Sequence, residues 1–231
     1  MKKNMAVEWD YSGEKGPEHW EELCDWFAQA AKFKWQSPIS LPHNESLEKL
    51  NQTITFHYQK QRFTDKEFKN TIHLVPYDQL SYVELEGQKY YLTDIHFHVP
   101  AEHFINGTQE DIEFHFVHMN MHKENLVVGV MYRLTHHKCW LHDSKNHWNL
   151  KKHEHWSNPI FFFPEKRSHY HYIGSLTTPP TSGPIKWFVM DQVHELNKDF
   201  LIPFKGHYVK PNNRPLQSSK DRKIYYHAGE N

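Results

Sequence analysis

The chain has very little cysteine: Cys24 and Cys139 are the two in 231 residues. That excludes a disulfide framework, leaves room for one bridge at most, and fits a reducing, cytoplasmic setting. No apolar run reaches the length needed to cross a bilayer, so no membrane span is expected. Lys2 and Lys3 follow Met1, but no apolar stretch follows them, so a signal peptide is not expected in this chain. Neither sign of charge dominates. Lys and Arg number 27 against 28 Asp and Glu, a formal net charge of -1. That balance argues against nucleic acid or an anionic membrane as partner. Gly/Ser-rich linkers and internal repeats are also absent, so residues 1–231 read as a single domain.

What is present is aromatic and histidine-rich. Aromatic residues make up 15% of the chain, with eight Trp, and hydrophobic residues make up 38%, enough for a packed core rich in strands. The 21 histidines are the outlier. Most read as a solvated surface, and their abundance strips isolated His pairs of weight. Residues 17–33 carry apolar positions at helical spacing after Pro17 and read as helical in part. The stretches 52–58, 81–85, 89–98, 111–118, 126–133 and 185–190 alternate, or are β-branched and aromatic, and read as strands. Residues 134–158 are polar, His-rich and Lys-rich, an excursion with little core.

Three places carry His-x-His: His96/His98, His153/His155 and His169/His171. Spacing alone does not separate them. His153 and His155 lie among charges in KKHEHW and read as a solvated face. His169 and His171 alternate with tyrosines as an ordinary strand would. His96 and His98 sit in TDIHFHVP, where both rings point to one face and Phe97 to the other. In DIEFHFVH, Glu113, His115 and Val117 share one face, while Phe114, Phe116 and His118 share the opposite one. Two adjacent strands can therefore present His96, His98 and His115 to one point. Three neutral imidazoles suit a zinc ion with one open position, and satisfied core histidines are the competing reading. Glu113 and Asp94, each two residues before a histidine on its face, are placed to accept the outer N–H of His115 and His96.

IHFH at 95–98, AEH at 101–103, EFHFVH at 113–118 and GSLTTPP at 174–180 resemble the alpha-class carbonic anhydrases, bacterial type, in the family's order. GPEHW at 16–20, QSPI at 36–39 and NNRPLQ at 212–217 fit the same family. The resemblance covers about Trp9 to Arg222, so the core runs from about 9 to 222. It implies a mostly β (α+β) fold: a central, mostly antiparallel, twisted sheet with a few short surface helices. It also implies an enzyme, a zinc lyase that reversibly hydrates carbon dioxide to bicarbonate by zinc-bound hydroxide, is inhibited by sulfonamides, and works as a monomer or homodimer.

The same resemblance assigns roles. His96, His98 and His115 become the zinc ligands. Thr177 accepts a hydrogen bond from the hydroxide and turns its own proton toward Glu102. Tyr11 joins the water network beside them. Thr178 touches the substrate, and Val117, Val127, Leu176, Ile185 and Trp187 form an apolar wall for carbon dioxide. Asn212 and Arg214 fall in a structural signature, and His103 and His118 become buried structural histidines. Asp94 stands where the family usually has Gln, and a carboxylate there would raise the pKa of the zinc-bound water. The proton-shuttle histidine of the family's NNGH-like turn aligns with Gln79, and His73 is the nearest histidine in sequence. Two other classes compete with the lyase: a binding module of this fold that has lost its metal, and a zinc esterase. The intact set of three histidines, Glu102 and Thr177 favours the lyase.

Overall fold

The structure, a computed structural model, describes residues 7–49, 54–68, 71–137, 154–204 and 210–229. Its centre is a trio of antiparallel strands, Gln88–His98, Ile112–Met119 and Asn125–Thr135, with Ile112–Met119 in the middle. Alternation along them divides the interior in two. Phe97, Phe114, Phe116, Val128 and Val130 turn to one face, into a core that also holds Phe162, Phe163, Phe188 and Phe204. The rings interlock at 4.6 Å for Phe116–Phe163 and 5.1 Å for Phe97–Phe114. Burying each such side chain is worth about 1.5–3 kcal/mol. Val127, Ile185, Trp187 and Val189 turn to the other face, into a second apolar cluster. That second face also carries His96, His98 and His115.

A bulge sets which residues reach it. Val117 pairs with Asp94, but His118 pairs with Leu92, so Thr93 is an extra residue in its strand. The Thr93 hydroxyl donates to the Val117 carbonyl at 3.1 Å, closing the irregularity. An extra residue flips the alternation beyond it. Leu92 and Tyr90 therefore join Ile95 and Phe97 in the first core, and Asp94 keeps the histidine face.

Further strands extend this trio to a 13-stranded sheet among the described residues. On one side lie Thr71–Pro76, Gln61–Phe68 and Glu154–Ser157; on the other, Ile185–Met190, His169–Gly174, Ile224–His227 and Glu48–Lys49. Most pairings are antiparallel, as expected. Asn125–Thr135 instead runs parallel to Ile185–Met190 and to His194–Asn197, so the sheet is mixed. A parallel pair needs a long crossover, and the chain between residues 135 and 185 supplies it.

Of the sequence-predicted elements, 185–190 is reproduced to the residue. The helical stretch resolves into a 3-10 turn, Trp20–Glu22, and a helix, Asp25–Ala31. Residues 138–153, with Cys139 and His153, lie outside the described residues. His155 does not sit on a solvated face. The strand Glu154–Ser157 pairs with Gln61–Phe68, and its alternation turns His155 inward against Asp65 at 2.9 Å, leaving Trp156 outside. No helix among the described residues is long and apolar enough to cross a membrane.

Candidate metal centre

The antiparallel register places His96 directly opposite His115, and His98 opposite Glu113. The three imidazoles of His96, His98 and His115 meet on one face, with ring centroids 4.6–5.3 Å apart. One nitrogen of each lies within 4.8 Å of the others. The remaining nitrogen of each ring is engaged. His96 Nδ1 donates to Asp94 at 2.6 Å, His98 Nδ1 to the Asn212 carbonyl at 2.8 Å, and His115 Nε2 to Glu113 at 2.9 Å. These partners fix the tautomers: the lone pairs of His96 Nε2, His98 Nε2 and His115 Nδ1 turn inward.

Burial keeps the three rings neutral. It lowers His96 to about 3, His98 to about 4, and His115 below the ordinary histidine value. Neutral imidazole is the form that binds a metal. His98 Nε2 is fully buried and has no hydrogen-bond partner. An orphaned buried nitrogen costs stability unless something polar meets it. A cation held between the three inner nitrogens would satisfy it, and three neutral nitrogen ligands are a donor set that zinc takes with one position left open. The residues fit the metal.

Glu113 fixes the surroundings. Burial would raise its pKa, but His103 and His115 hold it well below the ordinary carboxylate value. One oxygen accepts the backbone N–H groups of Glu102 and His103, both at 2.8 Å; the other accepts from His103 Nδ1 at 2.7 Å and from His115. From His103 the chain of contacts runs on to the Tyr172 hydroxyl at 2.6 Å and the Ser37 hydroxyl at 2.9 Å beyond it. The loop that presents Glu102 and His103 is closed by a two-residue turn. There Asn106 and Gly107, at φ of 52° and 75°, join Phe104–Ile105 to Thr108–Gln109.

Glu102 itself is buried. One oxygen accepts Arg214 N–H at 2.8 Å; the other lies 3.6 Å from His98 Nε2 and 4.0 Å from His115 Nδ1. Burial raises its pKa to about 7, against the opposing pull of His115, the Arg214 amide and the Thr177 hydroxyl. A cavity of about 550 Å³ opens onto His96 and His98, and Thr178, Thr71 and His73 line it with Trp9 and Phe68.

The predicted site residues are therefore largely gathered. Val127, Ile185 and Trp187 are buried in one cluster, and Val117 and Leu176 pack against it. Trp187 meets His115 edge to face at 4.9 Å. Tyr11 packs between Trp9 and Trp20. Asn212 does more than fill a signature position: its side chain accepts Val99 N–H at 2.7 Å while its carbonyl holds His98. His118 is buried against the Tyr58 hydroxyl at 2.7 Å, on the opposite face from the histidine trio.

Gln79 does not belong to the site. It sits exposed in the turn between Thr71–Pro76 and Tyr82–Leu85, whereas Thr71 and His73 line the cavity. The sequence reading passes over the strands Gln61–Phe68 and Thr71–Pro76, and so puts the turn beyond the strand that lines the cavity. In the sequence His73 stands out only by its nearness; a further signal is its polar ring at alternate spacing within TIHLV.

Two tests follow from this geometry. A Cβ on Gly129 would stand 2.7 Å from Glu113 Oε1, and that carboxylate is held by four hydrogen bonds. Gly129→Ala is expected to cost about 1–3 kcal/mol of stability and to weaken metal retention, read by thermal melting and by metal content after dialysis. The second test concerns pH. His96, His98, His115, His118 and His169 all have folded pKa values lowered by burial. The unfolded chain therefore takes up protons below about pH 6.5 that the folded chain refuses, and stability falls as pH drops toward about 3–4. Each histidine contributes up to about 1.4 kcal/mol per pH unit. Glu102, raised to about 7, works the opposite way, since its contribution to stability is lost as pH rises from 4.5 to about 7. Five groups outweigh one. Denaturation of the metal-free protein should show stability falling from pH 6.5 to 4.5, with a shallower slope in His118→Gln.

Comparison with known proteins agrees with this architecture. The profile of the family described as eukaryotic-type carbonic anhydrase matches residues 15–228. A carbonic anhydrase from Nostoc sp. is 30% identical over 234 residues, covering 95% of this chain and 86% of that protein. An alpha-carbonic anhydrase from Thermovibrio ammonificans, solved with the inhibitor sulfanilamide, superposes with a TM-score of 0.84 at 30% identity, covering 96% of this chain and all of that one. Dioscorin dioA3 from Dioscorea japonica is 29% identical over 238 residues, covering 96% of this chain and 87% of that protein.

Proposed function

The chain belongs to the eukaryotic-type carbonic anhydrase family, and we propose that it hydrates carbon dioxide reversibly to bicarbonate at a zinc ion held by His96, His98 and His115. The observation that carries the reading is the convergence of three neutral, inward-facing imidazole nitrogens on one buried point. Zinc bound there would supply a Lewis acid that brings the pKa of water to about 7. Because a relative of this chain is named dioscorin, the activity rests on this chain's own site rather than on the family name.

The protein's side chains do the orienting. Glu102, ionised, accepts a hydrogen bond from the Thr177 hydroxyl, so the Thr177 oxygen is left to accept a hydrogen bond from the attacking nucleophile. That fixes the direction of a lone pair toward the substrate, a positional gain. Arg214 N–H holds the far oxygen of Glu102 in place. Thr178, on the cavity wall, meets a substrate oxygen. Val117, Val127, Leu176, Ile185 and Trp187 offer carbon dioxide an apolar resting place and keep bulk water from it. Tyr11 joins the water network beside Thr177. Asp94, Glu113 and Asn212 hold the outer nitrogens of the three ligands.

Elemental analysis should find one zinc per chain, and carbon dioxide hydration should disappear when a chelator removes it. His115→Ala should lose both metal and activity. Thr177→Ala should keep the metal and slow hydration by about 10²-fold, the size of a misplaced reactant. A Thr177→Ala protein that lost its zinc would make Thr177 structural, and hydration that survived chelation would sink the assignment.

A further inference from the structure

The three outer-nitrogen partners are not held alike. Glu113 is pinned by two backbone amides and His103 before it meets His115. Asn212 offers a backbone carbonyl, fixed by its own bonds to Val99. Asp94 is a side chain with 19% of its surface accessible, and His96 is the most exposed of the three histidines, with 12% of its side chain accessible against 1% and 2%. A carboxylate there needs a second anchor to hold His96 in one orientation.

His73 stands where that anchor is needed. It lies on the neighbouring strand Thr71–Pro76, which pairs with Gln88–His98 at Leu74 and Ile95. Its Nδ1 meets one oxygen of Asp94 while His96 Nδ1 meets the other. An ionised carboxylate only accepts, so both ring nitrogens donate. The His73 ring also lies over His96, centroids 4.5 Å apart and planes 18° apart, and Phe68 packs on His73 at 4.6 Å. His96 is thus held twice, through the shared carboxylate and by a stacked ring.

We propose that His73 is a positioning residue of the metal centre, which locks Asp94 onto His96 and thereby slows loss of the metal. The proposal rests on reading His96, His98 and His115 as the zinc ligands. Outer partners of metal-bound histidines are typically worth 10–100-fold in metal affinity. A cross-strand donor that holds such a partner acts through it, so its effect is bounded by the effect of losing Asp94.

The test is the rate at which the zinc-loaded protein releases metal to excess dipicolinate. His73→Ala should release zinc about 10-fold faster than wild type, and His73→Phe, which keeps a ring but no N–H, should also release it faster. Since the His73 N–H acts through Asp94 while the ring stacks on His96 directly, the double variant His73→Phe with Asp94→Ala should release zinc no faster than Asp94→Ala alone. Release from both His73 variants at the wild-type rate, or effects that multiply in the double variant, would overturn the proposal. Should His73→Ala fail to fold, His73→Phe carries the comparison. A wild-type protein that takes up no stoichiometric zinc would instead overturn the metal assignment itself, leaving the two failures distinct.

Discussion

The site hangs on one buried carboxylate. Glu113 is fully enclosed, and in such a place an ionised group is tolerated only when every lone pair is met. Here four donors meet it: two backbone amides from the Glu102–His103 loop, His103, and His115. The same bonds therefore do three things. They dock the loop carrying Glu102 against the sheet, they set the tautomer of His115, and they anchor the run from His103 through Tyr172 to Ser37. The room for this comes from Gly129, directly opposite His115 in the next strand, whose missing side chain leaves space for the carboxylate.

Around that anchor the sheet supplies position and the loops supply chemistry. Antiparallel register alone sets His96 beside His115, but it says nothing about which nitrogen of each ring faces inward. That choice is made by three different acceptors: a side chain on the same strand for His96, a side chain two residues back for His115, and a carbonyl from the segment at 212–214 for His98. The last segment is distant in sequence and reaches the site twice, since Asn212 holds His98 and the Arg214 amide holds Glu102. Arg214 is anchored in turn by its Nη1 bonds to Gln36 and Ser37.

How much of this was legible in the sequence follows from what each feature depends on. Strand alternation is local, so the shared face of His96 and His98, and of Glu113 and His115, could be read from spacing. The bulge at Thr93 could not, because a bulge is a property of the pairing and not of either strand. Gln61–Phe68 and Thr71–Pro76 are not legible because charged residues at 65–67 interrupt the first and the second is short; without them the sequence offers Gln79, an exposed turn residue, in place of one that lines the cavity. His155 is misleading in the sequence for a related reason. Its flanks are lysine, glutamate and histidine, yet a partner strand with Asp65 lay ninety residues earlier. Contacts of the 212–214 backbone are invisible to any reading of side chains.

The charge balance ties these parts together. Asp94, despite burial, is kept ionised by His96 and His73, and Glu113 by His103 and His115. The three candidate ligands are neutral. The pocket thus presents two fixed negative charges at the outer edges of three neutral imidazoles, which matches the double positive charge of a zinc ion at their centre. Glu102 is the third carboxylate, and it is the one that burial brings to about 7. A divalent cation near its free oxygen would favour the ionised form. On the proposed function, metal loading and loss of the Glu102 proton would be coupled, and the carboxylate proposed to accept from Thr177 would take its accepting form when the centre is filled. Two of the three carboxylates hold the outer nitrogens of His96 and His115; the third lies beside the Thr177 hydroxyl.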